Sequence, residues 1–322
     1  MAKPSVFVIG AGLAGLACAR VLVEAGFLVR VADKGRGPGG RCSSRRSPAG
    51  QFDHGASFFT ARDPDFRSAL DTWIAEGAAA AWTPRLLRGG VPSSPSEPFF
   101  LGTPAMNAII KHGAARVAAE FDLRIAPLAA IQPGPHALTC EAGHQVGEAD
   151  VVVVATPAPQ AVELLPPTSP LRAGAASAEL APCWTLMAAF EGGDPGFDAH
   201  LVEGAVVDAV FWQLGRPGRE GASRFVLQAS PSWSAANLEL EAGEVEALLL
   251  AELHQLVPGL GEPTHSTAHR WRYARVTKTA PGDFGMDLEN GLATCGDWHL
   301  GPRVESAWLS GYRLGQALAE AL

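Results

Sequence analysis

The chain has 322 residues, 47% of them hydrophobic, with 25 Lys and Arg against 33 Asp and Glu. A formal charge of -8 argues against nucleic acid as a partner, because proteins that bind it carry a basic face. Single cores stop growing near roughly 250–300 residues, so two lobes are expected.

Ser5–Ile9 is a short apolar run that ends in glycine and reads as a buried strand. Residues 13–25 follow with Leu16, Ala17, Val21 and Leu22 at helical spacing, and Gly26 stands where a helix C-cap belongs. A second strand covers 28–33, and strand–helix–strand in this order implies a parallel sheet with covering helices. Residues 35–50 are rich in Gly, Ser and Arg without periodicity and read as a loop placed to touch a ligand. A Pro/Ser linker at 93–98 precedes Thr103 and Pro104, which look like an N-cap and first helical position for a helix reaching 121. A short strand at 123–125, a small β-meander to 146 and a buried strand at 151–155 come next. The proline-rich stretch 157–170 halts that strand. Segments 181–190, 205–214 and 224–230 are strand-like, 241–256 is an amphipathic helix opened by acidic residues, 291–295 is a short strand, and 304–321 is a closing helix.

The expected architecture is α/β. A Rossmann-like lobe takes 1–65, 99–156 and 285–322, and a second, discontinuous α+β lobe takes 66–98 and 157–284. Cys18, Cys42, Cys140, Cys183 and Cys295 are scattered and form no CxxC, which argues against a disulfide framework or zinc ribbon. No charged leader with an apolar segment and cleavage site opens the chain, and no apolar run approaches the roughly 18 residues of a membrane span. A cytoplasmic protein without a membrane partner is expected.

Gly10-Ala11-Gly12-Leu13-Ala14-Gly15 matches GxGxxG in its proper setting, after a strand and opening a helix, with Asp33 at the end of the next strand. Gly10 permits the tight turn, Gly12 lets a pyrophosphate approach the backbone, and Gly15 lets helix and strand pack closely. The helix amino end offers free N–H groups and partial positive charge, and Asp33 suits a ribose hydroxyl.

Gly39-Gly40-Arg41 after the second strand resembles flavin enzymes of the amine-oxidase-like group, as do His54-Gly55-Ala56-Ser57-Phe58 and the late Gly296-Asp297 followed by a helix. With Asp53 and the His269-Arg270-Trp271-Arg272-Tyr273-Ala274 stretch, the combination resembles the bacterial branch of the renalase-like flavoproteins over nearly the whole chain. The resemblance implies a p-hydroxybenzoate-hydroxylase-like arrangement, with a β-sheet of the substrate lobe over the flavin. It implies noncovalent FAD and oxidation of 2- or 6-dihydro isomers of NAD(P)H, with O2 as acceptor and hydrogen peroxide as product. Flavin contacts are implied at Ala14, Arg41, Ser57 and Phe58, and Ser57 stands where members often carry Gln. The full cofactor-binding set expected from motif and resemblance adds Gly10, Ala11, Gly12, Leu13, Gly15, Asp33, Lys34, Gly39, Gly40, His54, Gly55, Ala56, Ile125, Gly296, Asp297, Val304, Glu305 and Ala307.

No second GxGxxG is present, since Gly259-Leu260-Gly261 runs into Glu-Pro, so electrons are expected from a small-molecule substrate held over the flavin. A dihydropyridine expels hydride with its own ring nitrogen, so the protein supplies positioning more than acid–base chemistry. The candidate catalytic residues are Trp271, as a wall for a flat substrate with Tyr273 and Trp298, and His299, near the flavin edge. Arg270 and Arg272 alternate with the rings and fall on the opposite face if the segment is a strand. His265 and His269 have the spacing of a metal pair on a helix, but no carboxylate adjoins them and no metal is expected. Cys295 reads as a small apolar residue inside its strand. The competing readings are a flavin amine oxidase or desaturase, and a flavin-binding redox sensor without turnover.

Overall fold

The computed structural model describes residues 3–130 and 133–322. Ser5–Ile9 lies between Leu28–Ala32 and Val151–Val154, parallel to both. The central strands are apolar and buried on both faces, as a parallel sheet covered by helices requires. Ala118–Glu120 extends the sheet beyond Leu28–Ala32, and Leu292–Thr294 extends it beyond Val151–Val154, with antiparallel Gly285–Asp287 at that edge. One sheet of six strands therefore collects three distant stretches of sequence.

The first helix, Leu13–Glu24, packs along the last, Val304–Ala321. Their approach is close: a Cβ at Gly311 would fall 1.9 Å from the Ala14 carbonyl oxygen. That contact brings the chain's final 30 or so residues against its first turn.

A seven-stranded sheet runs in the order His265–Lys278, Glu179–Phe190, Ser223–Ala229, Val207–Trp212, Ala199–Leu201, Leu86–Arg88 and Val91–Ser93. Helix Ala242–Leu256 packs against it through Val245, Leu249 and Leu253, one turn apart on a single face. The acidic start is a capping box, with Glu241 and Glu244 each bonded to the other's backbone N–H.

Several expectations need correction. The helix expected from Thr103 and Pro104 to 121 spans only Ala108–Ala114, because 118–120 is taken by the edge of the first sheet. The strand at 123–125 reduces to a single bridge, Ile125 to Cys140. The meander is a hairpin of His136–Thr139 and Gln145–Ala149; residues 131 and 132 lie outside the described residues. The proline-rich stretch holds helix Ala158–Leu164, and Pro170–Ala176 begins at its end, with prolines at first-turn positions where a missing N–H is harmless. Pro64–Ala75 is an unanticipated helix, capped by Asp63 accepting from the Asp65 N–H at 2.9 Å. Its Phe66, Leu70 and Trp73 share a core with Leu16 and Trp308, so this helix sides with the first lobe rather than the second. His265 and His269 lie on a strand, where four residues separate side chains by roughly 13 Å, too far for one metal.

Candidate active site

A cleft of about 2060 Å³ is lined by residues of both sheets. At one end stands the amino terminus of the first helix. Gly10 takes φ +114°, and the Ala11 N–H donates to Asp33 Oδ2 at 2.7 Å while Oδ1 accepts from the Gly35 N–H at 2.7 Å. Asp33 thus ties together the two turns that edge the cleft. The helix begins at Gly12 with no side-chain cap and no acid in its first turn, leaving its amide end free. The glycines divide the work: a Cβ at Gly12 would meet nothing within 4 Å, whereas one at Gly15 would sit 2.0 Å from the Gly10 oxygen. Gly12 keeps the cleft open, and Gly15 lets the helix pack on its strand.

Arg41, in the turn Gly40–Cys42, donates two hydrogen bonds to Asp297, at 2.8 and 2.6 Å. Asp297 follows Leu292–Thr294, and the Gly296 N–H is fixed by Ser310 Oγ of the last helix at 3.0 Å. The ion pair therefore joins the early glycine-rich loop to the late Gly-Asp.

Segment 54–58 forms one wall. The Ala56 N–H donates to the Arg41 carbonyl at 2.8 Å, and Gln228 Nε2 donates to the Gly55 carbonyl at 2.7 Å. His54, His269 and Trp271 form a ring cluster with centroids 4.5 to 5.0 Å apart, and Trp271 Nε1 donates to the His54 carbonyl at 2.9 Å. Burial pushes His54 down to about 4, helped by the charges of His269 and Arg45. Burial likewise lowers His269 to about 4, with Arg45 adding to it. Both imidazoles are neutral at pH 7. Beyond them Phe58 stacks on Phe99 at 4.0 Å.

The cleft's charge is opposite to that of the whole chain. Its lining carries twelve Lys and Arg against six Asp and Glu, in a protein of net charge -8. Arg45 and Arg46, on the short strand Arg45–Ser47, are among the cations.

A family model for an NAD(P)-binding Rossmann-like domain matches residues 8–73, and one for flavin containing amine oxidoreductase matches residues 102–319. The chain belongs to the flavin containing amine oxidoreductase family. It is 23% identical to renalase of Mus musculus over 317 residues, covering 91% of this chain and 92% of that one. Its fold is similar to a protein named as a protoporphyrinogen oxidase, from Exiguobacterium sp. 255-15, at TM-score 0.76 and 13% identity over 100% of both chains. Cyclohexylamine oxidase from Brevibacterium oxydans IH-35A gives TM-score 0.72 and 14% identity over 99% of both chains. The chain is thus a renalase-like flavin oxidoreductase, and the Rossmann-like unit with an amine-oxidase fold is as expected.

The residues present fit a flavin. The Gly12 cradle would be filled by any Cβ, and Ser57 Oγ and Thr156 Oγ1, on residues that line the cleft, are buried atoms with no hydrogen-bond partner among the described residues. Among the expected cofactor residues, Gly10, Gly12, Leu13, Ala14, Asp33, Lys34, Gly39, Gly40 and Arg41 line the cleft. So do His54, Gly55, Ala56, Ser57, Phe58, Ile125, Gly296, Asp297, Val304 and Ala307, together with Trp271.

Five expected residues are not part of the lining. Ala11 is fully buried beneath the turn, and Gly15 faces the strand. Glu305 accepts from the Arg62 and Asp63 N–H groups at 2.6 and 2.8 Å, which anchors the turn into Pro64–Ala75. His299 is 6% exposed, with its ring within 3.2 Å of Thr294 Oγ1 and the Gly282 carbonyl oxygen and stacked on Trp298. Trp298 donates to the Thr156 carbonyl from inside the core and is no wall of the cleft. The four-residue helix Asp297–Leu300 turns both side chains inward.

Cys295 is buried in the core as an apolar residue, but one position beyond strand Leu292–Thr294 rather than inside it. All five cysteines are unpaired, and among the described residues no helix is long and apolar enough to cross a membrane. Phe99, Phe211 and Gln228 were not legible in sequence, because Phe211 and Gln228 reach the cleft on the paired strands Val207–Trp212 and Ser223–Ala229, and Phe99 through its pairing with Trp82.

Proposed function

We propose that this chain binds FAD noncovalently and oxidises 2- and 6-dihydro isomers of NAD(P)H to NAD(P)+, with O2 reduced to hydrogen peroxide. The flavin, when bound, supplies the acceptor for hydride and the donor of two electrons to O2. The free amides at Gly12, Leu13 and Ala14 would hold the diphosphate, and Asp33 would accept from a ribose hydroxyl. Arg41 and Asp297 would flank the cofactor as a preformed pair. The amino end of the last helix reaches the cleft at Val304 and Ala307, where its dipole favours an electron-rich ring. With Pro64–Ala75 joined to the first lobe, the expected division at 65 moves to 75, and two lobes at 1–75, 99–156 and 285–322 against the remainder are part of this reading, as is a cytoplasmic location.

The observation that carries the substrate assignment is the cationic lining beside a neutral ring cluster. Five of the twelve cations, Lys34, Arg36, Arg45, Arg46 and Lys111, make no salt bridge among the described residues, and this charge favours a phosphate-bearing dinucleotide and disfavours a protonated amine. His54, His269 and Trp271 offer flat, uncharged surfaces for a dihydropyridine, whose ring nitrogen drives hydride departure without a protein base. Anaerobic mixing of the flavin-loaded protein with borohydride-reduced NAD, followed by absorbance, tests this. Bleaching by the isomer mixture and peroxide on readmitting air are expected. Bleaching by primary amines, with none by the isomers, would overturn it.

A further inference from the structure

His269, Thr185 and Gln228 stand side by side on three neighbouring strands, His265–Lys278, Glu179–Phe190 and Ser223–Ala229. Ala209 continues the row on the fourth strand, opposite Gln228. Residues directly opposite one another in antiparallel strands point to the same face of the sheet. All four line the cleft, so the row is a strip of its floor. His269 at one end belongs to the ring cluster with His54 and Trp271. Gln228 lies two strand spacings away, roughly 10 Å, a span that one substituted planar ring bridges.

Two side chains fasten this floor to the wall at 54–58. Trp271 Nε1 donates to the His54 carbonyl at 2.9 Å, and Gln228 Nε2 donates to the Gly55 carbonyl at 2.7 Å. The two carbonyls are consecutive, so the polar ends of Trp271 and Gln228 meet the wall one residue apart. A carbonyl oxygen only accepts, which fixes the orientation of the Gln228 amide: its NH2 faces Gly55, and its Oε1 faces away. Oε1 accepts no hydrogen bond from the described residues and is open to the cleft.

Neither neighbour in the row competes with that oxygen. Thr185 is fully buried, with its hydroxyl 3.7 Å from Cys183 Sγ. Ala209 carries no polar group. The floor therefore presents one fixed acceptor beside flat, uncharged rings. Its complement is a planar ring with an N–H donor as substituent. A carboxamide supplies that donor through its NH2. A carboxylate in the same place offers only acceptors and sets oxygen against oxygen. The cations of the lining act on the whole ligand, whereas contact at Oε1 falls to the ring substituent alone.

We propose that Gln228 determines specificity at the ring substituent: its Oε1 accepts from the carboxamide NH2 of the nicotinamide and rejects the carboxylate of the corresponding nicotinic acid. This role rests on the dinucleotide reading above and assigns the atom that tells amide from acid.

The test is isothermal titration calorimetry of flavin-saturated protein with NAD+ and with its nicotinic acid analogue, so that no turnover is needed. The parent should bind NAD+ roughly 30-fold more tightly than the acid, although the acid carries the greater negative charge. Gln228→Met neither donates nor accepts, and should bring the two dissociation constants within about 3-fold of each other. Gln228→Lys keeps a donor for the Gly55 carbonyl and replaces the acceptor by a cation, so it should favour the acid. A residue that only anchored the wall would leave the parent ratio unchanged in Gln228→Lys. Equal affinities in the parent, or a parent-like ratio in Gln228→Lys, would overturn this role and leave the dinucleotide reading standing. No binding of either dinucleotide to the parent would overturn that reading and this role with it.

Discussion

Arg41 and Asp297, 256 positions apart in sequence, meet in a two-bond ion pair at the edge of the cleft. Truncating Arg41 leaves a mostly buried carboxylate without its partner, and bidentate charge-assisted bonds are worth about 1.5–3 kcal/mol. Arg41→Met should weaken flavin affinity about 10- to 100-fold in a spectral titration. A double-mutant cycle with Asp297→Asn should give a combined loss well short of the sum of the two single losses. Strict additivity would mean that the pair does not act as a unit.

Gly12 and Gly15 make opposite predictions. A side chain at Gly12 points into open cleft, so Gly12→Val should fold with an unchanged circular dichroism spectrum and purify without yellow colour. A Cβ at Gly15 collides with the Gly10 oxygen, so Gly15→Ala should lose stability by about 3 kcal/mol in denaturant unfolding. Wild-type flavin affinity in Gly12→Val would undo the placement of the diphosphate.

His54 and His269 are held near 4 from an ordinary value of 6.5, chiefly by burial. Both stay neutral in the folded protein while the unfolded chain takes up protons. Their contribution is therefore complete above pH 6.5 and is lost as pH falls from 6.5 toward 4. Thermal unfolding across that window should show falling Tm, and His269→Gln should reduce the slope. Because both rings are already neutral, kcat/KM for the dihydronicotinamide isomers should not change with pH between about 6.5 and 8.

Trp271 donates one hydrogen bond to the His54 carbonyl and makes ring contacts with His54 and His269. Trp271→Ala should raise KM about 10-fold and leave flavin content intact, since the loss is of stacking surface. Loss of flavin together with activity would place this residue in cofactor binding.

Arg45 lies close enough to depress both cleft histidines. Arg45→Gln, alone and with Arg46→Gln, should lower kcat/KM for the dinucleotide isomers about 5- to 10-fold and weaken its dependence on salt. Isomers of reduced nicotinamide riboside, which carry no phosphate, should be unaffected. Equal losses on both substrates would exclude these arginines from phosphate recognition.

The dinucleotide turn was legible in sequence because its physics is local. Gly10, Gly12, Gly15 and Asp33 lie within 24 consecutive residues, and each role follows from backbone geometry beside one helix end. The capped helix at 242–256 and the closing helix at 304–321 were legible for the same reason: period and cap are written in consecutive positions. Tertiary structure alone decided what depends on residues far apart. Asp297 faces Arg41 because the final helix packs within reach of the Ala14 carbonyl, while two residues further on His299 turns into the core. The ring cluster of His54, His269 and Trp271, the cationic lining and the hydrogen bond from Gln228 to Gly55 arise where separate strands converge. A linear pattern carries the period of an element and the chemistry of its caps, but not the face that a distant partner will choose to cover.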